Sequence, residues 1–103
     1  LVLLGMGPDG HTASLFPGNS VLDEDVGLVK AVTAPPGIEP PGRITLTLPA
    51  INGADFAFFL VMSKGKEAAL AQVLGNRMLG SVSLPAARVR AGEETVWFIA
   101  DGP

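Results

Sequence analysis

The opening stretch, LVLLGMGPDGHTASLFPG, constrains the fold more than any other part of the chain. Residues 1–4 are a continuous apolar run ended by a glycine, the pattern of a buried parallel strand. Gly5-Met6-Gly7-Pro8-Asp9-Gly10 comes next as a turn and spells G-x-G-x-x-G, with the single histidine, His11, directly after it. Residues 12–16 have room for only one turn of helix before Pro17-Gly18 stops it. A dinucleotide site needs a full helix after such a turn and an acidic residue about 20 positions on. Asp23 and Asp25 stand near that place, but Pro17 arrives too early for a crossover of about 10–12 residues. Pro8 also removes an N–H from the anion cradle, and Asp9 sets a negative charge where a pyrophosphate would sit. The glycines therefore shape a rigid turn that presents Asp9 and His11.

Further along, residues 28–32 form a short strand after a polar loop at 19–27, and residues 34–42 hold four prolines and two glycines in an extended loop. RITLTLP alternates, with Ile44, Leu46 and Leu48 on one face and Arg43, Thr45 and Thr47 on the other. Pro49 starts a short helical segment. DFAFFLVM, residues 55–62, is the strongest strand signal and is expected to be buried on both faces, with Phe56, Phe58 and Phe59 in the core. Ser63 is placed to cap a helix over 64–74, with Glu67 near the capping-box position. Residues 76–85 look irregular, 86–92 a short helix and loop, and ETVWFIA a last strand that buries Trp97. Strands alternating with helices or long connections predict an α/β fold with a mostly parallel sheet.

With 103 residues, 48% of them apolar, the chain suits one soluble domain or part of one. The net charge is −3, and Arg43, Arg77, Arg88 and Arg90 are scattered, so no nucleic-acid partner is expected. No apolar stretch reaches the ~18 residues of a membrane span. Cysteine is absent, which suits a reducing, cytoplasmic location. The chain begins inside an apolar run without an initiator methionine, so residues 1–103 are expected to be a single partial domain of a longer protein. Nothing in the sequence sets an oligomeric state.

Asp9 and His11 suggest acid–base chemistry at the carboxyl end of a buried strand, where open α/β sheets place their crevices. Imidazole exchanges a proton near neutrality, and a carboxylate two residues away can orient it. From spacing alone, a turn-closing Asp9 with His11 capping the short helix after it is about as good a reading.

LGMGPDGHTASLFPG closely resembles the signature of 6-phosphogluconolactonases, in the superfamily that also holds glucosamine-6-phosphate isomerases/deaminases. RITLTLPAINGA at 43–54, GKEAAL at 65–70, LPAARVR at 84–90 and VWF at 96–98 match in the same order. The resemblance implies a partial doubly wound, Rossmann-like sheet and hydrolysis of 6-phosphogluconolactone in the oxidative pentose phosphate pathway, without a cofactor. His11 matches the catalytic histidine that activates water, and Asp9 the carboxylate beside it. Arg43 and Lys66 match the cations expected on the phosphate, Arg43 through a two-pronged contact. Gly7 and Gly10, with the other backbone N–H groups of the turn, are expected on the substrate side, stabilising an oxyanion. Thr12 and Ser14 lie outside a G-x-S-x-G elbow and read as structural or substrate-contacting hydroxyls. The isomerase/deaminase branch shares the turn but places a glutamate after its histidine, whereas TASLFPG has no acid here. The family's upstream phosphate loop has no counterpart in these residues, so an inactive fragment is the third possibility.

Overall fold

The structure, a computed structural model, describes residues 1–79 and 84–101. In chain order it holds β1 (Val2–Leu4), β2 (Val29–Thr33), β3 (Gly42–Leu46), α1 (Leu48–Asn52), β4 (Phe56–Met62), α2 (Glu67–Leu79) and β5 (Glu94–Ala100), with 3-10 turns at Ser20–Asp23 and Pro85–Arg88. The apolar runs do what their composition demands: β1, β4 and β5 join in a parallel sheet with β4 central. Val2 stands opposite Ala57, and Phe59 opposite Trp97. Strands β2 and β3 form a separate antiparallel hairpin, with Val29 opposite Leu46 and Thr33 opposite Gly42. The fold is α/β with a mostly parallel sheet, as the sequence predicts. Among the described residues no helix is long and apolar enough to cross a membrane.

One face of the sheet carries the core. Leu4, Ala57, Phe59 and Val61 point into it and meet Ile51, Leu70, Val73, Ala86 and Val89. The expectation that 55–62 is buried on both faces fails, because Phe56, Leu60 and Met62 alternate onto a second face and are exposed. Of the three phenylalanines only Phe59 is core, stacked flat on half-buried Trp97 at 3.8 Å, while Phe56 and Phe58 meet edge to face on the open side. The alternation of β3 is kept but turned outward: Ile44 and Leu46 are exposed, and Thr45 and Thr47 are buried. Their hydroxyls make this possible by bonding inward. Thr45 Oγ1 donates to the Leu46 carbonyl and accepts from the Ser14 N–H (3.0 Å). Thr47 Oγ1 donates to the Gly27 carbonyl (2.6 Å) and caps α1 at the Ala50 N–H.

Two local expectations are corrected. Residues 12–16 form no helix; the Leu15 N–H bonds the Thr12 carbonyl in a tight turn through Ala13, whose φ is 51°. Helix α2 starts at Glu67 rather than Lys64, because Gly65 (φ 79°) turns the chain and the Lys66 N–H bonds the Ser63 carbonyl. The Ser63 hydroxyl points elsewhere, to Asp101 Oδ1. The helix also runs through Leu79, into the stretch expected to be irregular, whereas residues 80–83 of that stretch lie outside the described residues.

Candidate active site

The chain leaves β1 at its carboxyl end and folds the Gly5–Phe16 loop over the sheet edge. Inside the turn the Gly10 N–H bonds the Gly7 carbonyl, and the Gly7 N–H bonds the His11 carbonyl, both at 2.9 Å. Three longer ties hold the loop to the body. Thr12 Oγ1 donates to the Gly5 carbonyl (2.8 Å), the Ser14 N–H to Thr45, and the Ala86 N–H to the Gly10 carbonyl (3.0 Å). Gly10 adopts φ 84°, a left-handed conformation that glycine alone adopts without strain.

The turn brings Asp9 and His11 together as their spacing predicts. Asp9 Oδ1 accepts the backbone N–H of His11 at 3.1 Å and meets its ring Nδ1 at 2.6 Å. Partial burial would raise the Asp9 carboxyl. The His11 backbone bond, the ring bond and the imidazole charge outweigh it and hold the group below its ordinary value. An ionised carboxylate is acceptor-only, so Nδ1 carries the hydrogen of this pair, and in the neutral form of the ring the lone pair is then on Nε2. Gly7 is the floor beneath the ring edge, where a Cβ would overlap His11 Cε1 and Nδ1. Phe16, fully buried, packs against the imidazole with centroids 4.7 Å apart and planes tilted by 37°.

A hollow of about 510 Å³ opens in front of this group, lined by Gly5, Gly7, His11, Ala13 and Lys66 among others. Its size is that of a small-molecule site. Lys66 stands one residue before α2, half-buried, and among the described residues has no carboxylate partner. Arg43 is not brought here. Its Nε and an Nη donate to the Pro40 and Glu39 carbonyls, both at 2.9 Å, and it lines a different hollow beside the β2–β3 hairpin. The N–H groups of Gly7 and Gly10, expected on the substrate side, are bonded within the turn to the His11 and Gly7 carbonyls. Thr12 is structural, since its hydroxyl is used on Gly5 and it is buried. Among the described residues no group of three or more His, Asp or Glu side chains is gathered to hold a metal.

Sequence reasoning missed Phe16 and Ala13. A pair that meets across an irregular turn carries no period, and alanine carries no signal for a left-handed backbone.

The chain is similar to known proteins over nearly its whole length. The rat 6-phosphogluconolactonase is 41% identical over 100 residues, which cover 96% of this chain and 37% of that protein. A relative from Arabidopsis thaliana with the name probable 6-phosphogluconolactonase 2 is 46% identical over 96% of this chain and 36% of its own length. The crystal structure of 6-phosphogluconolactonase from Thermotoga maritima superposes with a TM-score of 0.75 at 38% identity, covering 94% of this chain and 41% of that one. The chain thus spans a little over a third of the length of its curated relatives. The family model for glucosamine-6-phosphate isomerases/6-phosphogluconolactonase matches residues 1–97, and the chain belongs to that family.

Proposed function

We propose that the protein hydrolyses 6-phosphogluconolactone to 6-phosphogluconate, with His11 as general base. The observation that carries this reading is the 2.6 Å contact between Asp9 and His11 Nδ1, which turns Nε2 into the proton acceptor. Nε2 takes a proton from water as the oxygen adds to the lactone carbonyl. The tetrahedral intermediate collapses, the ring C–O bond breaks, and the proton passes from Nε2 to the departing ring oxygen. General acid–base catalysis of this kind supplies ~10²–10⁴-fold. Lys66, in the same hollow, is the cation for the substrate phosphate. Arg43 joins it only by releasing the Glu39 and Pro40 carbonyls. The names of the rat and Thermotoga relatives support the choice of lactone, and the lack of an acid in residues 12–18 argues against the isomerase/deaminase chemistry.

The test is acid release from 6-phosphogluconolactone above its spontaneous rate. His11→Ala is expected to lower the catalysed rate to the background; an unchanged rate refutes the assignment. Ammonia release from glucosamine 6-phosphate would move the protein to the other branch. A cytoplasmic location belongs to the same proposal, and imaging of the tagged protein tests it against the chloroplast named for one Arabidopsis relative.

A further inference from the structure

The His11 imidazole is bounded on three sides. Asp9 Oδ1 holds Nδ1, Gly7 lies against the Cε1–Nδ1 edge, and the Phe16 ring packs against the imidazole at a tilt. We infer that Phe16 is a positioning residue for His11, setting the plane of the imidazole so that Asp9 fixes its tautomer and Nε2 alone is left for proton transfer. The inference rests on the general-base reading above and deepens it.

One hydrogen bond at Nδ1 fixes an atom, not a plane. The last torsion of histidine is broad and roughly two-fold, so the ring can still swing about that contact. Glycine at position 7 bounds the swing on one edge only. The Phe16 ring, 4.7 Å from the imidazole and tilted to it by 37°, blocks the rest, and Phe16 is itself held in place. It is fully buried, its carbonyl accepts the Asn19 N–H (3.1 Å), and the tight turn bonded from Leu15 to Thr12 precedes it. A flexible side chain of similar volume fills that space without offering a plane.

The single histidine makes the test direct, because the ring nitrogens and ring protons of this chain give one set of NMR signals. In the unaltered chain, at a pH where the ring is neutral, the ¹⁵N shifts are expected to show one Nδ1–H tautomer. The imidazole protons should show Overhauser contacts to the Phe16 ring and to the Gly7 α-protons. In Phe16→Met the tautomers are expected to mix and the Gly7 contact to fade, with kcat about tenfold lower or more and KM within about twofold. Phe16→Tyr, which keeps the plane, should keep the single tautomer. A folded Phe16→Met with an unshifted tautomer and unchanged kcat overturns the inference. Should the variants not fold, the unaltered chain decides: a mixed tautomer or no contact between the two rings overturns it, and one tautomer with that contact upholds it. If no form accelerates lactone opening, the functional reading fails while the ring signals still judge the role of Phe16.

Discussion

A methyl group at Gly7 has nowhere to go, since the ring edge of His11 fills its place and Asp9 Oδ1 lies 3.0 Å away. Gly7→Ala is therefore expected to push the imidazole off its perch. We expect a fall in kcat of about 100-fold, with a loss of stability of about 1–3 kcal/mol, read by urea denaturation. Asp9 gives a prediction in pH. Its carboxyl sits below its ordinary value, so the fold favours the charged form. The stabilisation is fully present above the usual aspartate pKa of about 3.9 and is lost as pH falls through the lowered folded value. It is small, because Asp9 is partly solvated. The amide proton of His11, bonded to this carboxylate, should titrate with a midpoint below about 3.9; one at or above that value counts against the contact. At this scale the pairing of Asp9 with His11 was legible, because two residues across a glycine turn leave little choice. The placement of Arg43 was not. An arginine on a strand has the same sequence appearance whether its guanidinium meets a ligand or, as here, two carbonyls of its own hairpin loop.

Among the elements, hydroxyl groups and glycines decide what hydrophobic period leaves open. Thr47 serves both the Gly27 carbonyl and the Ala50 N–H while fully buried. Thr47→Val, equal in shape, should cost about 1–3 kcal/mol by leaving these groups unpaired, measured as a lower denaturation midpoint. Ser63→Ala should do almost nothing, within about 0.5 kcal/mol, because Ser63 does not cap α2; a loss near 1 kcal/mol would restore it as the cap. The existence of each strand was legible from period and β-branched content. Its sidedness was not, since the two threonines of the β3 region satisfy their polar atoms inward and leave Ile44 and Leu46 outside. The start of α2 is hidden for a similar reason: Gly65 accepts the left-handed turn that a capping serine would forgo.

For the molecule as a whole, the parallel order β1-β4-β5 agrees with apolar runs separated by helices and long loops. Which faces those runs bury was beyond the sequence, because a continuous apolar run has the same appearance with one face covered as with two. The open face carries Leu3, Leu60, Met62 and Phe98, all more than 40% exposed. An apolar surface of this kind favours association. The chain is expected to brighten an apolar fluorescent dye. Placing Leu60→Glu beside Phe98→Lys, neighbours in register, should lower that signal by about half with far-UV circular dichroism unchanged.

The ties of the His11 loop have a consequence for the order in which the molecule is made. The loop precedes its partners in the sequence, since Ser14 hangs on Thr45, Gly10 on Ala86, and β1 pairs with β4. A ribosome therefore releases the histidine long before it releases the residues that shape its surroundings. Such distant closures are slow. The His11 turn should be among the last parts to set, and newly made chains should hold secondary structure before they hold the Asp9–His11 pair.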